Sequence, residues 1–78
     1  MNYKNKIAEI ASDILNLKKE EIDFNKNKEH IDSWDSFAHL ALISSLEEEI
    51  SITIPFEKIE EINKLQDILE IIESENGE

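Results

Sequence analysis

The spacing of apolar residues is the feature that most constrains the fold of this 78-residue chain. Over residues 3–17, 36–50 and 65–72, apolar side chains recur every three or four positions, which is the repeat of one buried face of an α-helix. Pro55 cannot continue a preceding helix and commonly opens one, so a short helix of about two turns should follow it. The spacing predicts an all-α bundle of four helices, with these inward-facing positions: Ile7, Ile10, Ala11, Ile14, Leu15, Phe37, Leu40, Ile43, Leu46, Ile50, Phe56, Ile59, Ile62, Leu65, Ile68, Leu69 and Ile72.

The segments between the predicted helices have no sustained helical period. Residues 18–35 are rich in Asn, Lys and Asp, which favour loops and caps, so they should form a long loop between the first two helices. Residues 51–54 could form only an isolated strand, so we expect an extended connector. Asn63 or Lys64 should end the third helix, and the polar residues 73–78 should fray. The residues expected to pin the long loop to the core are Ile22, Phe24, Ile31 and Trp34.

Composition excludes several classes of protein. A chain of 78 residues forms a small domain that buries only roughly 60% of its unfolded surface, which leaves no room for an enclosed active site of ordinary size. The sequence has no cysteine, and no apolar run approaches the ~20 residues that span a bilayer. Its net charge of −11 repels nucleic acid and anionic lipid. We therefore expect one domain over residues 1–78, which is soluble, cytoplasmic and monomeric and has basic partners.

The negative charge is concentrated in the second half of the chain. Residues 1–35 carry eight acidic residues and six lysines, whereas residues 36–78 carry eleven acidic residues and two lysines. Three of these acids, residues 47–49, fall at the C-terminal end of the second predicted helix. There they oppose the helix dipole, at a cost of roughly 0.3–1 kcal/mol for each exposed group. Because this placement does not favour folding, it supports a role of these acids in recognition. The alternative is that they form only a solvated surface.

The tripeptide Asp35-Ser36-Phe37 stands where the second helix should begin. Free backbone N–H groups and the positive end of the helix dipole favour a phosphate at this position. Nothing nearby in the sequence is arranged to activate the Ser36 hydroxyl as a nucleophile, so its modification by another enzyme is one interpretation. Ser and Asp are also the usual residues at helix N-caps, so a purely structural role remains the alternative.

Four features follow one another between residues 31 and 72: Asp35-Ser36-Phe37, Leu46-Glu47-Glu48-Glu49-Ile50, Ile54-Pro55, and Ile62 before the closing helix. In this order and spacing the chain resembles acyl carrier proteins, and its first helix extends the resemblance to nearly the whole length. The resemblance implies a four-helix bundle and a 4′-phosphopantetheine arm on Ser36, whose terminal thiol holds acyl groups as thioesters. It also implies a phosphopantetheinyl transferase that takes the arm from coenzyme A, with Asp35 helping to hold that enzyme's magnesium ion.

The chain departs from the pattern of that family at two places. Phe37 replaces the usual Leu after the serine, and we expect it to keep the role of a buried anchor. Residues 38–41 lack the additional acid that carriers of fatty acid synthesis often have there. The motif around Ser36 also resembles specialised carriers and the carrier domains of polyketide and peptide assembly lines. An acyl carrier of fatty acid or polyketide biosynthesis and an aminoacyl or peptidyl carrier therefore both remain open.

The resemblance also implies two groups of residues around the arm. Partner enzymes with basic docking surfaces, such as synthases, ligases or acyltransferases, should contact Phe37, Ala38, His39, Ala41, Glu47, Glu48, Glu57 and Glu60. An acyl chain should be sheltered by residues that are ordinary core in the unloaded protein: Phe37, Leu40, Leu46, Ile54, Ile59 and Ile62.

Other interpretations of the sequence are weaker. Ser33 also follows an aspartate, but an arm there would shift the acidic residues and Ile54-Pro55 by three positions, almost a full helical turn. Ser36 and His39 could form a hydrolase-like trio with Asp32 or Asp35, but no Gly-x-Ser-x-Gly turn is present. Residues 23–34 resemble a calcium-binding loop without its required Gly and Glu, so we expect no metal site. The remaining alternative of a different class is an unmodified acidic helical interaction module.

Overall fold

The computed structural model describes residues 3–76 of the chain. The described residues contain no β-strand, so the predicted all-α, four-helix fold is confirmed. Two single 3-10 turns, Lys19–Glu21 and Lys28–His30, interrupt the long connection between the first two helices. The helices are α1 (Tyr3–Leu15), α2 (Ser36–Ile50), α3 (Phe56–Ile59) and α4 (Leu65–Asn76).

The core lies where α1 packs against both α2 and α4. Every buried side chain among the described residues is apolar, and none is charged or polar. Helices α1 and α4 bury the face that the apolar spacing defines, and α2 buries the second half of its predicted face, since helix stability in proteins comes mostly from such packing. The largest side chains at the centre of this core are Ile7, Leu15, Leu42, Leu46, Ile62, Leu65, Ile68 and Ile72.

Helix α1 ends two residues earlier than predicted. Asn16 adopts a left-handed conformation with φ of 57°, which short polar residues tolerate better than most. The chain then turns back, and both the backbone N–H of Leu17 and its carbonyl bond to Ser12, at 3.0 Å and 2.5 Å. The apolar period continues to Leu17, but this local turn takes that residue out of the helix.

Helix α3 has one turn instead of the two predicted. The backbone bonds that follow it, from Glu61 to Lys58 and from Ile62 to Ile59, span three residues and not four. This tighter spacing ends the α-helix at Ile59, before the predicted limit at residues 63–64. The last helix, α4, is longer than predicted and continues through the residues expected to fray as far as Asn76. No Gly or Pro interrupts it before Gly77. The last two residues of that predicted tail lie outside the described part.

The long connection before α2 is fixed to the residues around the start of α4 by backbone hydrogen bonds. The N–H of Lys28 donates to the carbonyl of Asn63 at 2.7 Å, and the N–H of Gln66 donates to the carbonyl of Phe24 at 3.0 Å. Apolar side chains of the connection pack against the core as predicted: Trp34 is buried, and Ile22, Phe24 and Ile31 are partly buried. The connection thereby holds the start of α2 beside α3. No helix in the described part of the chain is long and apolar enough to cross a membrane.

Candidate functional site

Asp35 caps the N-terminus of α2. Its backbone is extended, with φ of −98° and ψ of −173°, and its Oδ1 accepts a hydrogen bond from the Ala38 N–H at 2.8 Å. The Asp35 carbonyl accepts from the His39 N–H at 2.9 Å, which is the first bond of the helix. Asp35 is thus the capping residue, and Ser36 is the first residue inside the helix. Capping does not require the Ser36 hydroxyl.

Ser36 has the surroundings that a phosphodiester requires. Its side chain is exposed, and none of the hydrogen bonds found among residues 3–76 involves its hydroxyl. The backbone N–H groups of Ser36 and Phe37 precede the first intrahelical bond, so they point out of the positive end of a helix of fifteen residues. A phosphate on this hydroxyl would therefore meet helix-end N–H groups, with no side chain to displace.

An open groove of about 710 Å³ begins at Ser36. One side is formed by the start of α2, and the other is formed by α3. The exposed apolar side chains of Leu40 and Phe56 lie along it, so the groove combines an apolar surface with charged groups at its rim. The complete lining is Lys28, Glu29, Trp34, Asp35, Ser36, His39, Leu40, Phe56, Ile59 and Glu60.

His39 connects the two sides of this groove. The Trp34 Nε1–H donates to His39 Nδ1 at 2.9 Å, and His39 Nε2 lies 2.9 Å from the carbonyl oxygen of Ile59 in α3. The rings of Trp34 and His39 also stack, with centroids 5.9 Å apart. We expected His39 to be a surface residue for partner docking and Trp34 to be a core aromatic. Trp34 is buried as expected, but His39 is half-buried and both its ring nitrogens are engaged. They are bonded away from Ser36, so no hydrolase-like trio forms.

The exposure of side chains in the first two turns of α2 contradicts the predictions for three residues. Phe37, expected to be a buried anchor, is 82% exposed, and Leu40 is 58% exposed. Ala38, expected to contact partners, is buried at 6% exposure and joins the core instead. Ala38 lies one turn before the buried Leu42 on the same face of α2, and the packing of that face against the core leaves Phe37 and Leu40 outside. Because most of this helix surface is apolar, spacing alone did not distinguish the two rotations.

Phe56 in α3 was also expected to face inward and is 72% exposed, because α3 lies over the groove with no fully buried residue of its own. Of the predicted acyl-sheltering residues, Leu46, Ile54 and Ile62 are buried in the core as expected, and Ile59 is partly buried. Phe37 and Leu40 are not core residues. Both provide exposed apolar surface near Ser36, which agrees with the expected docking role of Phe37 and was not expected for Leu40.

The acids predicted to dock partners differ in their surroundings. Glu47 is half-buried, and its Oε2 accepts a hydrogen bond from the Ile54 N–H at 2.9 Å, which fixes the connector between α2 and α3. This geometry gives Glu47 a structural role that its position in an acidic run did not indicate. Glu48, Glu57 and Glu60 are exposed, and Ala41 is half-buried.

Ser33, the competing serine, lies in the loop before α2 and lines a separate depression of about 380 Å³ on another part of the surface. It has no helix N-terminus to host a phosphate.

In the loop that resembles a calcium-binding loop, Asp23 Oδ1 accepts a hydrogen bond from the Asn25 N–H at 2.9 Å. Within residues 3–76 there is no cluster of His, Asp or Glu side chains arranged to hold a metal ion.

Comparison with known families agrees with this geometry. Residues 5–72 match the family model described as a phosphopantetheine attachment site, which covers the start of α2 and all four helices up to Ile72. The chain therefore belongs to the family of phosphopantetheine-binding acyl carrier proteins. It is similar to the acyl carrier protein of Buchnera aphidicola subsp. Schizaphis graminum, with 37% identity over 75 residues that cover 96% of this chain and 95% of that protein. Proteins of this family are carriers, not enzymes, and their cofactor is 4′-phosphopantetheine.

Proposed function

We propose that this protein carries acyl groups as thioesters on a 4′-phosphopantetheine arm attached to Ser36, and that residues 1–78 form a single carrier domain. The observation that carries the proposal is the division of roles at the start of α2. Asp35 caps the helix, so the adjacent Ser36 hydroxyl is exposed, unbonded and next to the groove. Ser33 has neither the helix position nor the groove.

Attachment requires a phosphopantetheinyl transferase and coenzyme A. The Ser36 oxygen forms a new bond to the phosphorus that carries pantetheine, the bond between the two phosphates of coenzyme A breaks, and adenosine bisphosphate leaves while the serine proton passes to base or solvent. The exposed Asp35 carboxylate adjoins the attachment oxygen and is available to that enzyme and its magnesium ion. When bound, the arm supplies a thiol that forms thioesters. This chain provides the residue to which the arm is attached. The flexible arm then raises the local concentration of the cargo at a partner's active site.

Docking to partner enzymes should use the exposed residues around Ser36. Phe37 and Leu40 offer apolar contacts, while the acids Glu48, Glu57 and Glu60 offer charge to basic surfaces. Exposed charge pairs raise encounter rates more than they lengthen residence, which suits a carrier that must exchange partners. The proposed partners are the transferase and the synthases, ligases or acyltransferases that load, extend or unload the cargo.

The cargo that we propose is an acyl group of fatty acid, polyketide or related biosynthesis. The groove beside Ser36 carries apolar side chains from both sides, Leu40 from α2 and Phe56 and Ile59 from α3. This apolar lining suits a hydrocarbon chain, whereas the carboxylates of Glu29, Asp35 and Glu60 at the rim could accept the amino group of an aminoacyl thioester. Competitive loading with acyl and aminoacyl donors and the matching ligases would distinguish the two.

The proposed attachment is tested by intact-protein mass spectrometry. The unmodified protein is incubated with coenzyme A, magnesium and a broad-specificity phosphopantetheinyl transferase, beside the variants Ser36→Ala and Ser33→Ala. We expect the wild type and Ser33→Ala to gain the mass of one phosphopantetheine and Ser36→Ala to gain none, although circular dichroism finds all three folded. If the folded wild type gains no mass with transferases of several specificities, the carrier function is wrong and an unmodified interaction module is the better interpretation.

A further inference from the structure

Of the lysines in the described part of the chain, Lys28 alone lines the groove beside Ser36. Its side chain is half-buried. The one ion pair found among residues 3–76 lies elsewhere, so the Lys28 ammonium has no carboxylate within ion-pair distance. The groove therefore contains a single ammonium group whose charge no described residue pairs. The other lysine-sized charges of the lining are carboxylates: Glu29, Asp35 and Glu60.

The backbone of Lys28 is fixed although its side chain is unpaired. Its N–H donates to the carbonyl of Asn63 at 2.7 Å, and its carbonyl accepts from the N–H of Ile31 at 3.1 Å. The Ile31 carbonyl accepts in turn from the N–H of Trp34 at 3.0 Å, and the Trp34 side chain is buried. Because these two successive turns shorten the segment, Lys28 lines the same groove as Ser36 although the two are not neighbours in sequence.

The phosphodiester of the arm brings one more negative charge to this groove. It is bonded directly to the Ser36 oxygen, so it cannot move away from the groove. The three carboxylates of the lining repel an added anion, whereas the Lys28 ammonium attracts it. An ammonium has three donors on a flexible stem, and it binds a phosphate as a point charge without requiring one fixed geometry.

We propose that Lys28 is a binding residue for the 4′-phosphopantetheine arm, and that its ammonium pairs with the phosphodiester on Ser36. This inference rests on the proposed function, since the phosphate comes with the arm. The pair offsets the repulsion by the three carboxylates and keeps the first atoms of the arm on the groove side of α2. Without the ammonium the arm is still attached, but its phosphate turns to the solvent.

The pairing is tested by urea unfolding of the purified protein with and without the arm. Lys28→Gln removes the ammonium. Lys26→Gln is the matched control, because Lys26 is an exposed residue of the same connection, does not line the groove, and carries the same charge. The measured quantity is the change in the equilibrium constant of unfolding that the arm causes, so differences between the unmodified variants cancel. We expect this change to be less favourable to the folded state by about two- to fivefold in Lys28→Gln, the size of one exposed charge pair, and the same as wild type in Lys26→Gln.

A second measurement observes the phosphate itself by phosphorus nuclear magnetic resonance. The resonance of the modified protein should move in Lys28→Gln and stay at the wild-type position in Lys26→Gln. Lys28→Arg keeps a positive charge, so its resonance should stay close to that of the wild type. Raising sodium chloride from about 0.01 M to about 0.15 M screens the pair, so the wild-type resonance should move toward that of Lys28→Gln.

Equal effects of Lys28→Gln and Lys26→Gln in either measurement would overturn the pairing. Intact mass, recorded before each measurement, separates this failure from a failure of the proposed function. A wild type that gains the arm on Ser36 but shows no difference between the two variants retains its carrier function and loses the pairing. A folded wild type that gains no arm with any transferase loses both.

Discussion

Asp35 and Ser36 are adjacent at the start of α2. Because Asp35 caps the helix, the hydroxyl of Ser36 is left without a structural role. A helix N-terminus needs an acceptor for its free N–H groups, and either an aspartate or a serine can supply it. Here the Asp35 carboxylate supplies it to Ala38, so the Ser36 oxygen is not required for folding. The Asp35 carboxylate is the cap of α2, and the proposed function gives it a second task, to present charge to the transferase.

These two tasks of Asp35 can be separated by substitution. Asp35→Asn keeps an oxygen that can accept from the Ala38 N–H, whereas Asp35→Ala removes it. We expect the alanine variant to lose about 1 kcal/mol of the free energy of unfolding in urea and the asparagine variant to lose much less. Both variants should accept phosphopantetheine more slowly, because both lack the carboxylate charge. Equal destabilisation by the two substitutions would contradict the capping role.

At the scale of the element, α2 illustrates what the sequence can predict. Its limits, Ser36 and Ile50, match the prediction because local signals define them, with Asp35 as the cap and the left-handed Ser51 at the end. Its rotation could not be predicted in the same way. Apolar residues surround most of the first half of the helix, so burying Phe37 or burying Ala38 both satisfy a helical period. The choice depends on packing against α1.

The proposal of Ser36 as the attachment residue also rests on local sequence, namely its motif and the spacing to the acidic run. The contact between Trp34, His39 and Ile59 was not predictable. It joins residues twenty positions apart through a carbonyl group, and no side-chain pattern marks a backbone acceptor. The bond from Glu47 to the Ile54 N–H escaped prediction for the same reason.

The observed rotation of α2 leads to a matched pair of substitutions. Phe37→Ala removes an exposed ring and should change the unfolding free energy by less than about 0.5 kcal/mol. Ala38→Leu forces a larger side chain into the core and should cost about 1–3 kcal/mol. Chemical denaturation followed by circular dichroism measures both. A large loss of stability in Phe37→Ala would mean that Phe37 is an anchor after all. Partner enzymes should nevertheless bind Phe37→Ala more weakly.

At the scale of the whole molecule, the dominant physical fact is uncompensated negative charge. The chain has a net charge of −11, and the one ion pair found among residues 3–76 joins Lys6 and Glu49 at 3.8 Å on the surface. Exposed pairs of this kind contribute little to stability. Mutual repulsion among the acids therefore opposes the compact state, although the same charge would attract a partner with a basic surface from a distance.

Added salt should act on these two effects in opposite directions. Raising sodium chloride from about 0.01 M to about 0.15 M shortens the Debye length from about 30 Å to about 8 Å. Screening should then raise the urea midpoint of unfolding, because the folded state suffers more from repulsion than the expanded one. It should also slow modification by the transferase, because encounter is less steered. A urea midpoint that falls with salt would contradict the dominance of repulsion.

The position of Trp34 has a practical consequence. It is the only tryptophan in the chain, it lines the groove that begins at Ser36, and its indole N–H is bonded to His39. Indole emission is sensitive to hydrogen bonding and to nearby water, so the protein has an intrinsic fluorophore where the arm and its cargo would lie. Loading and unloading can be followed in real time on the native chain without an attached dye.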